Sequence, residues 1–228
     1  MFNKIFLVVC VFISTVYGET LLERVQNEFD EKEAQNLIKE VKTNLTDKDK
    51  DLYLGIIYHN LAIKSPEKYV KEAIQYLEKE CKETKNVLAR GYYGSAITIE
   101  GGLCEKKKDI LTASTKVEEG LTLIDDAIKV ESTNVNLRFL RLNNAIAVSL
   151  SSPFKRYNIA REDLKFLKEK YDSFSSEIKA FYHFCFAQVS FGEDKVEESI
   201  FHFEKAVSVS PNSIYAKKAK EYLKQLEE

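Results

Sequence analysis

Proline is nearly absent from this chain, with three in 228 residues, and glycine is scarce at eight. Sandwiches and small barrels need many tight turns, and these two residues supply most of them, so that class is disfavoured. Outside the first twenty residues there is no apolar run long enough to cross a bilayer. Basic residues are interleaved with acidic ones at helical spacing, and the net charge is −2, so no stripe is concentrated enough to attract a phosphate backbone. Nucleic acid is therefore excluded as the expected partner. What the chain does have is 44% hydrophobic and 31% charged residues, rich in Leu, Lys, Glu and Ala. That is the composition of long helices in an ordinary globular protein, and the expected class is all-α.

The N-terminus, MFNKIFLVVCVFISTVYGET, carries one lysine, an apolar run from Ile5 to about Val16, and small residues at Val16 and Gly18. This order of charge, apolar run and small-residue site is that of a secretory signal, and the run is shorter than a membrane span requires. Residues 1–18 are expected to be a signal peptide and 19–228 a helical domain, with an exported, periplasmic or extracellular location. Removing 1–18 takes away only Lys4, leaving 33 basic against 36 acidic residues. Cys81, Cys104 and Cys185 then remain, an odd number that excludes full pairing within one chain. Cys81 and Cys104 fall at opposite ends of a helix of about 14 residues, roughly 20 Å apart and beyond disulfide reach. Buried, inert thiols are the expectation.

One spacing recurs. A small residue, a large one four positions later and an apolar one three further on are found at Ala34/Ile38/Val41, Ala73/Leu77/Glu80, Gly120/Ile124/Ala127, Ala160/Leu164/Leu167 and Ser199/Phe203/Ala206. The intervals are 39, 47, 40 and 39 residues, and Glu80 alone breaks the apolar rule. Offsets of 0, 4 and 7 share a helix face, and the small residue lets a second helix come close. The last four stripes each follow another helix-period segment, so the pattern reads as helix A, turn, helix B. Ser65 with Pro66, Gly101 with Gly102, Ser152 with Pro153, and Gly192 mark the turns, with Ser65 as cap and Pro66 as first helical residue. The stretch from Gly101 to Glu118 has room for one or two extra helical turns. Pro211 ends the last B helix, and Asn212 or Ser213 caps a final segment from Ile214 to Leu226. Its apolar side, Ala216, Ala219, Tyr222, Leu223 and Leu226, suits a terminal capping helix.

These residues resemble the tetratricopeptide repeat. Leu54, Gly55 and Tyr58 match the Leu-Gly-x-x-Tyr part of its helix A. Ser199, Phe203, Ala206 and Pro211 match the helix B part, and Gly120, Ile124 and Ala127 match it with Ser132 where proline would stand. The intervals exceed the family's 34 residues, so most turns carry insertions. ARGYYGSAITIEGG and LIDDAIKVESTNVNLRFLRLNNA are also similar to exported bacterial tetratricopeptide-like proteins of unknown function. The resemblance implies an α-α superhelix of about five hairpins plus a capping helix, whose A helices line a concave groove for a peptide or partner protein. Carried over, the groove positions are Tyr53, His59, Asn60, Tyr92, Ser95, Phe139 and Asn143 with Arg138 and Arg141 nearby, then Tyr182, His183 and Phe186. If the insertions shift the register, several of these become core residues.

No motif supplies chemistry: there is no Gly-rich phosphate loop, no HExxH and no GxSxG. His183 and Cys185 are two apart on a helix and face different ways, against a shared metal. The acidic pairs Glu31/Glu33, Glu118/Glu119, Asp125/Asp126 and Glu197/Glu198 read as solvated helix faces. No catalytic residue, metal ligand or cofactor is expected. The tripeptide Asn44-Leu45-Thr46 fits a glycan acceptor only on a eukaryotic secretory route. The expected function is a non-enzymatic exported adaptor. The alternative is a carrier of a small apolar or aromatic ligand, suggested by 12 Tyr and 14 Phe.

Overall fold

A computed structural model describes residues 21–26, 30–45 and 47–227, so the expected signal peptide lies outside the described residues. Among the described residues every regular element is helical: α1 (Leu21–Gln26), α2 (Glu31–Asn44), α3 (Asp47–Lys64), α4 (Pro66–Thr84), α5 (Val87–Lys106), α6 (Ile110–Val130), α7 (Val135–Ser151), α8 (Tyr157–Lys168), α9 (Ser176–Gly192), α10 (Val196–Val209) and α11 (Ile214–Glu227), with a 3-10 turn at Tyr171–Ser173. No described helix is long and apolar enough to cross a membrane. The chain divides into two compact units, one ending at Arg141 and the next beginning at Leu142, inside α7.

In the first unit α3 packs on α4, α4 on α5 and α5 on α6, while α3 also lies beside α5 and receives α1 and α2. In the second, α8 packs on α9, α9 on α10, and α11 on both α9 and α10. All fifteen stripe positions are buried. Glu80 is among them despite its charge, because Thr84 Oγ1 donates to its carboxylate at 2.7 Å. As expected of a capping helix, α11 lays Tyr222 flat on Phe203, with ring centroids 4.9 Å apart, and packs Tyr215 against Phe181 and Phe184.

Side-chain oxygens start several helices by accepting an orphan N–H of the first turn. Asp30 accepts from Glu33, Asn86 from Ala89, Asp109 from Thr112, Ser175 from Ile178, and Ser213, not Asn212, from Ala216. Pro66 is the first residue of α4, but Ser65 makes no side-chain capping bond. One glycine assignment needs correction. Gly101 and Gly102 lie inside α5, whose turn comes at Lys107–Asp109, whereas Gly192, the last residue of α9, does stand at the turn into α10. Gly101 is needed for contact rather than for a turn, since a Cβ there would meet Val117 Cγ2 at 3.0 Å and the Ala113 carbonyl at 3.1 Å.

The α5–α6 and α9–α10 hairpins share one turn. In the first, Lys108 takes φ 63°, its N–H bonds to the Glu105 carbonyl, and the Asp109 N–H reaches back to Cys104. In the second, Asp194 takes φ 61°, its N–H bonds to Phe191, and the Lys195 N–H reaches back to Ser190. The helices then touch at matched points. A Cβ on Gly120 would sit 2.4 Å from the Gly94 carbonyl, and Ser199 Oγ donates to the Ala187 carbonyl at 2.9 Å. From Gly94 to Lys108 is fourteen residues and from Lys108 to Gly120 twelve; the counterparts through Asp194 are seven and five. Each arm of α5–α6 is therefore seven residues longer, which is two helical turns and keeps the same face inward. The extra turns expected between Gly101 and Glu118 are this extension.

Candidate functional site

Of the twelve residues assigned to the groove, ten are buried and two, Tyr53 and Phe186, are half-buried. In the first unit the central array joins three helices. His59 Nδ1 stands 3.1 Å from Asn60 Oδ1, and Asn60 Nδ2 donates to the Val25 carbonyl at 2.9 Å. That second bond orients the amide, so its oxygen faces the ring and the Nδ1 proton must be the donor. His59 Nε2 is then left as acceptor for the Ser95 hydroxyl, 2.9 Å away. Burial holds the imidazole neutral, lowering its pKa to about 4, while the Asn60 bond works weakly the other way. Tyr92 presents its ring edge-on to His59, with centroids 5.1 Å apart.

Hydroxyl, imidazole and amide stand in the order of a serine nucleophile, its base and the base's orienter. Ser95, however, is buried in the middle of α5, where backbone N–H groups are engaged in the helix ladder and none is turned toward an oxyanion. As built, the array ties α3 to α5 and α1. Farther along the first unit, Arg138 Nε donates to the Ser132 carbonyl at 2.9 Å, Arg141 lies 3.6 Å from the Asp125 carboxylate, and Phe139 is buried.

The second unit gathers Tyr182, His183 and Phe186 with residues that sequence reasoning passed over. His183 Nε2 is 2.8 Å from the Tyr171 hydroxyl, and its Nδ1 faces His202 Nδ1 at 2.9 Å. Only one of the facing nitrogens can carry the proton, so the two rings cannot both be charged and their tautomers are coupled. Burial, and then their mutual charge and the nearby Lys168 and Lys205, lower His183 to about 4. Burial also lowers His202 to about 4, against the Glu198 carboxylate and with Arg161, Lys168 and Lys205. Phe186 stacks on His202 at 3.7 Å, and the Arg161 guanidinium lies over the Phe186 ring, 4.6 Å from its centroid. Arg161 also binds Glu193, Glu198 and Ser190. Tyr182 donates to the Leu164 carbonyl, and the Cys185 thiol contacts Asn143.

His183 and Cys185 do face different ways, and no group of three or more potential metal ligands is found among the described residues. All three described cysteines are free; Cys185 is buried, whereas Cys81 and Cys104 are only half-buried. Burial still raises the Cys81 thiol to about 11. The reading of acidic pairs as solvated faces holds for Glu31, which is exposed while bound to Lys68 and Tyr69, and needs correction for two partly buried residues: Asp125 is held by Arg141, and Glu198 by Arg161 and Ser190. Glu198 and His202, four apart on α10, were the available signal for this cluster. Compared with known proteins, the chain has no significant match to any family model, any curated protein or any solved structure.

Proposed function

We propose that this chain is a non-enzymatic, exported scaffold of the tetratricopeptide kind, in which helices α3, α5, α7 and α9 offer side chains to a peptide segment or partner protein. The supporting observation is that α3 lies beside α5 while each also packs on its hairpin mate, α4 or α6. Successive A helices side by side are what a groove-lining wall requires. In this reading the first unit meets its guest through Tyr53, His59, Asn60, Tyr92, Ser95, Arg138, Phe139 and Arg141, and the second through Asn143, Tyr182, His183 and Phe186. The small-ligand carrier is less well supported, because the aromatic rings of the second unit already pack on one another.

A photoreactive phenylalanine analogue at Tyr53 tests the reading, with the same analogue at exposed Glu118 on α6 as control. One discrete adduct with an envelope protein or peptide is expected from Tyr53 and none from Glu118. Equal labelling at both positions, or none at Tyr53, overturns it.

A further inference from the structure

The two extra turns of the α5–α6 hairpin end in residues that bury nothing. Every residue from 106 to 112 is exposed. Leu111 is 81% exposed and Ile110 59%, and Leu111 is the most exposed large hydrophobic residue among those described. Ile110 continues the inward stripe of Ala113, Val117 and Gly120 one turn outward, beyond the last point where α5 covers it. Just before them stand Lys106, Lys107 and Lys108. Lys106 lies 3.2 Å from Glu67, while Lys107 and Lys108 make no ion pair among the described residues. The acidic groups around the tip are Glu105, Asp109 and Glu67, which also attracts Lys107, and the Asp109 carboxylate is turned back to cap α6. The hairpin behind this tip is stiff, since the Gly94–Gly120 and Gly101–Ala113 approaches leave no room for the helices to slide.

From this juxtaposition of two solvent-facing aliphatic side chains with three consecutive lysines at the end of a lengthened, rigid hairpin, we infer that the α5–α6 tip docks on the surface of an anionic lipid bilayer. The chemistry selects this occupant: exposed aliphatic side chains directly beside consecutive lysines match an apolar layer lying under anionic headgroups. The basic residues match anionic headgroups, and Ile110 and Leu111 reach the acyl boundary. The tip is an anchor point for the scaffold, separate from the polar side chains of its A helices.

The chain contains no tryptophan, so a single substituted indole reports its own surroundings. In the full chain, Leu111→Trp and Val130→Trp place that indole at the two ends of α6, both at exposed positions. Each is mixed with phosphatidylglycerol or phosphatidylcholine vesicles containing brominated acyl chains. The expected result is blue-shifted, quenched emission for Leu111→Trp with phosphatidylglycerol only, and no change for Val130→Trp. Adding Lys107→Glu and Lys108→Glu to Leu111→Trp is expected to weaken partitioning at least about tenfold at low salt. Circular dichroism confirms that each variant folds, as substitutions at exposed positions should. An unquenched indole at 111, equal quenching at 111 and 130, or partitioning indifferent to the two charge reversals would overturn the inference. So would a response of the 111 indole to polyglutamate but not to vesicles, which would make the partner an acidic polypeptide.

Discussion

The α5–α6 and α9–α10 hairpins reverse the chain through the same left-handed turn, then hold their helices together by different means. In α5–α6 two glycines let backbone touch backbone; in α9–α10 Ser199 contributes a hydroxyl bond to Ala187, and Phe203 fills the space beyond. The longer hairpin relies on close approach over many turns, the shorter one on a dense aromatic centre capped by α11. The same small-x3-large rule is thus met by two packing solutions, and only the longer leaves a free tip.

The comparison can be broken most severely at the large residue of the stripe. Phe203→Ala should cost about 4 kcal/mol by urea unfolding, because Phe203 is fully buried between Phe184 and Tyr222. Ile124→Ala should cost less, about 3 kcal/mol. Equal losses would mean that α11 adds nothing to the shorter hairpin. At the small position the order should reverse. Gly120→Ala should lose about 2–3 kcal/mol despite the better helix propensity of alanine, since its Cβ meets a backbone carbonyl that cannot turn aside. Ser199→Ala should lose only the net worth of one hydrogen bond, about 1 kcal/mol.

Acid sharpens the contrast between the units. His59 in the first unit, and His183 and His202 in the second, are all lowered from 6.5 to about 4. The unfolded chain therefore binds protons before the folded one as pH falls below 6.5. The stabilisation is full above 6.5 and is lost between 6.5 and about 4. By pH 5.5 each histidine should cost about 1 kcal/mol, less for the partly exposed His202. Glu193 and Glu198, whose pKa values are lowered by the Arg161 network, act in a separate window below their ordinary value of 4.5. Urea midpoints at pH 7 and 5.5 test this: His202→Gln should shrink the acid loss, and a flat profile would contradict the neutral pair. The smallest effect tests the shared turn. Lys108→Gly and Asp194→Gly should each raise stability by roughly 0.5–1 kcal/mol, by relieving a side chain at positive φ. Unequal gains would show that the two turns differ.

The B-helix stripes were readable because they depend on periodicity alone. Residues at offsets of 0, 4 and 7 must share a face, and a face that mixes Gly, Ser or Ala with Ile, Leu or Phe has nowhere to go but inward. Even Glu80 obeyed its position, and Thr84, one turn on, supplies its hydrogen bond. Gly101 was misread for a physical reason: a helix–helix approach and a turn both demand the missing Cβ, and sequence does not tell which. The A helices were harder. They are buried on most sides, so polar residues such as His59, Asn60 and Ser95 carry no periodic mark separating a groove from an internal lock. Their role depends on which atoms of α1 and α5 come opposite, and Val25, thirty-five residues from Asn60, cannot be found by spacing.

Local chemistry was enough to specify an all-helical chain, its five inward stripes and its terminal cover, because propensity and periodicity act within a few residues. Tertiary contact chose the rest: which glycines are approaches, that His183 meets His202 and Tyr171, that Arg161 gathers two glutamates, and that two added turns carry Ile110 and Leu111 out of reach of any covering helix. Those outcomes depend on distances between segments far apart along the chain, which no local preference encodes.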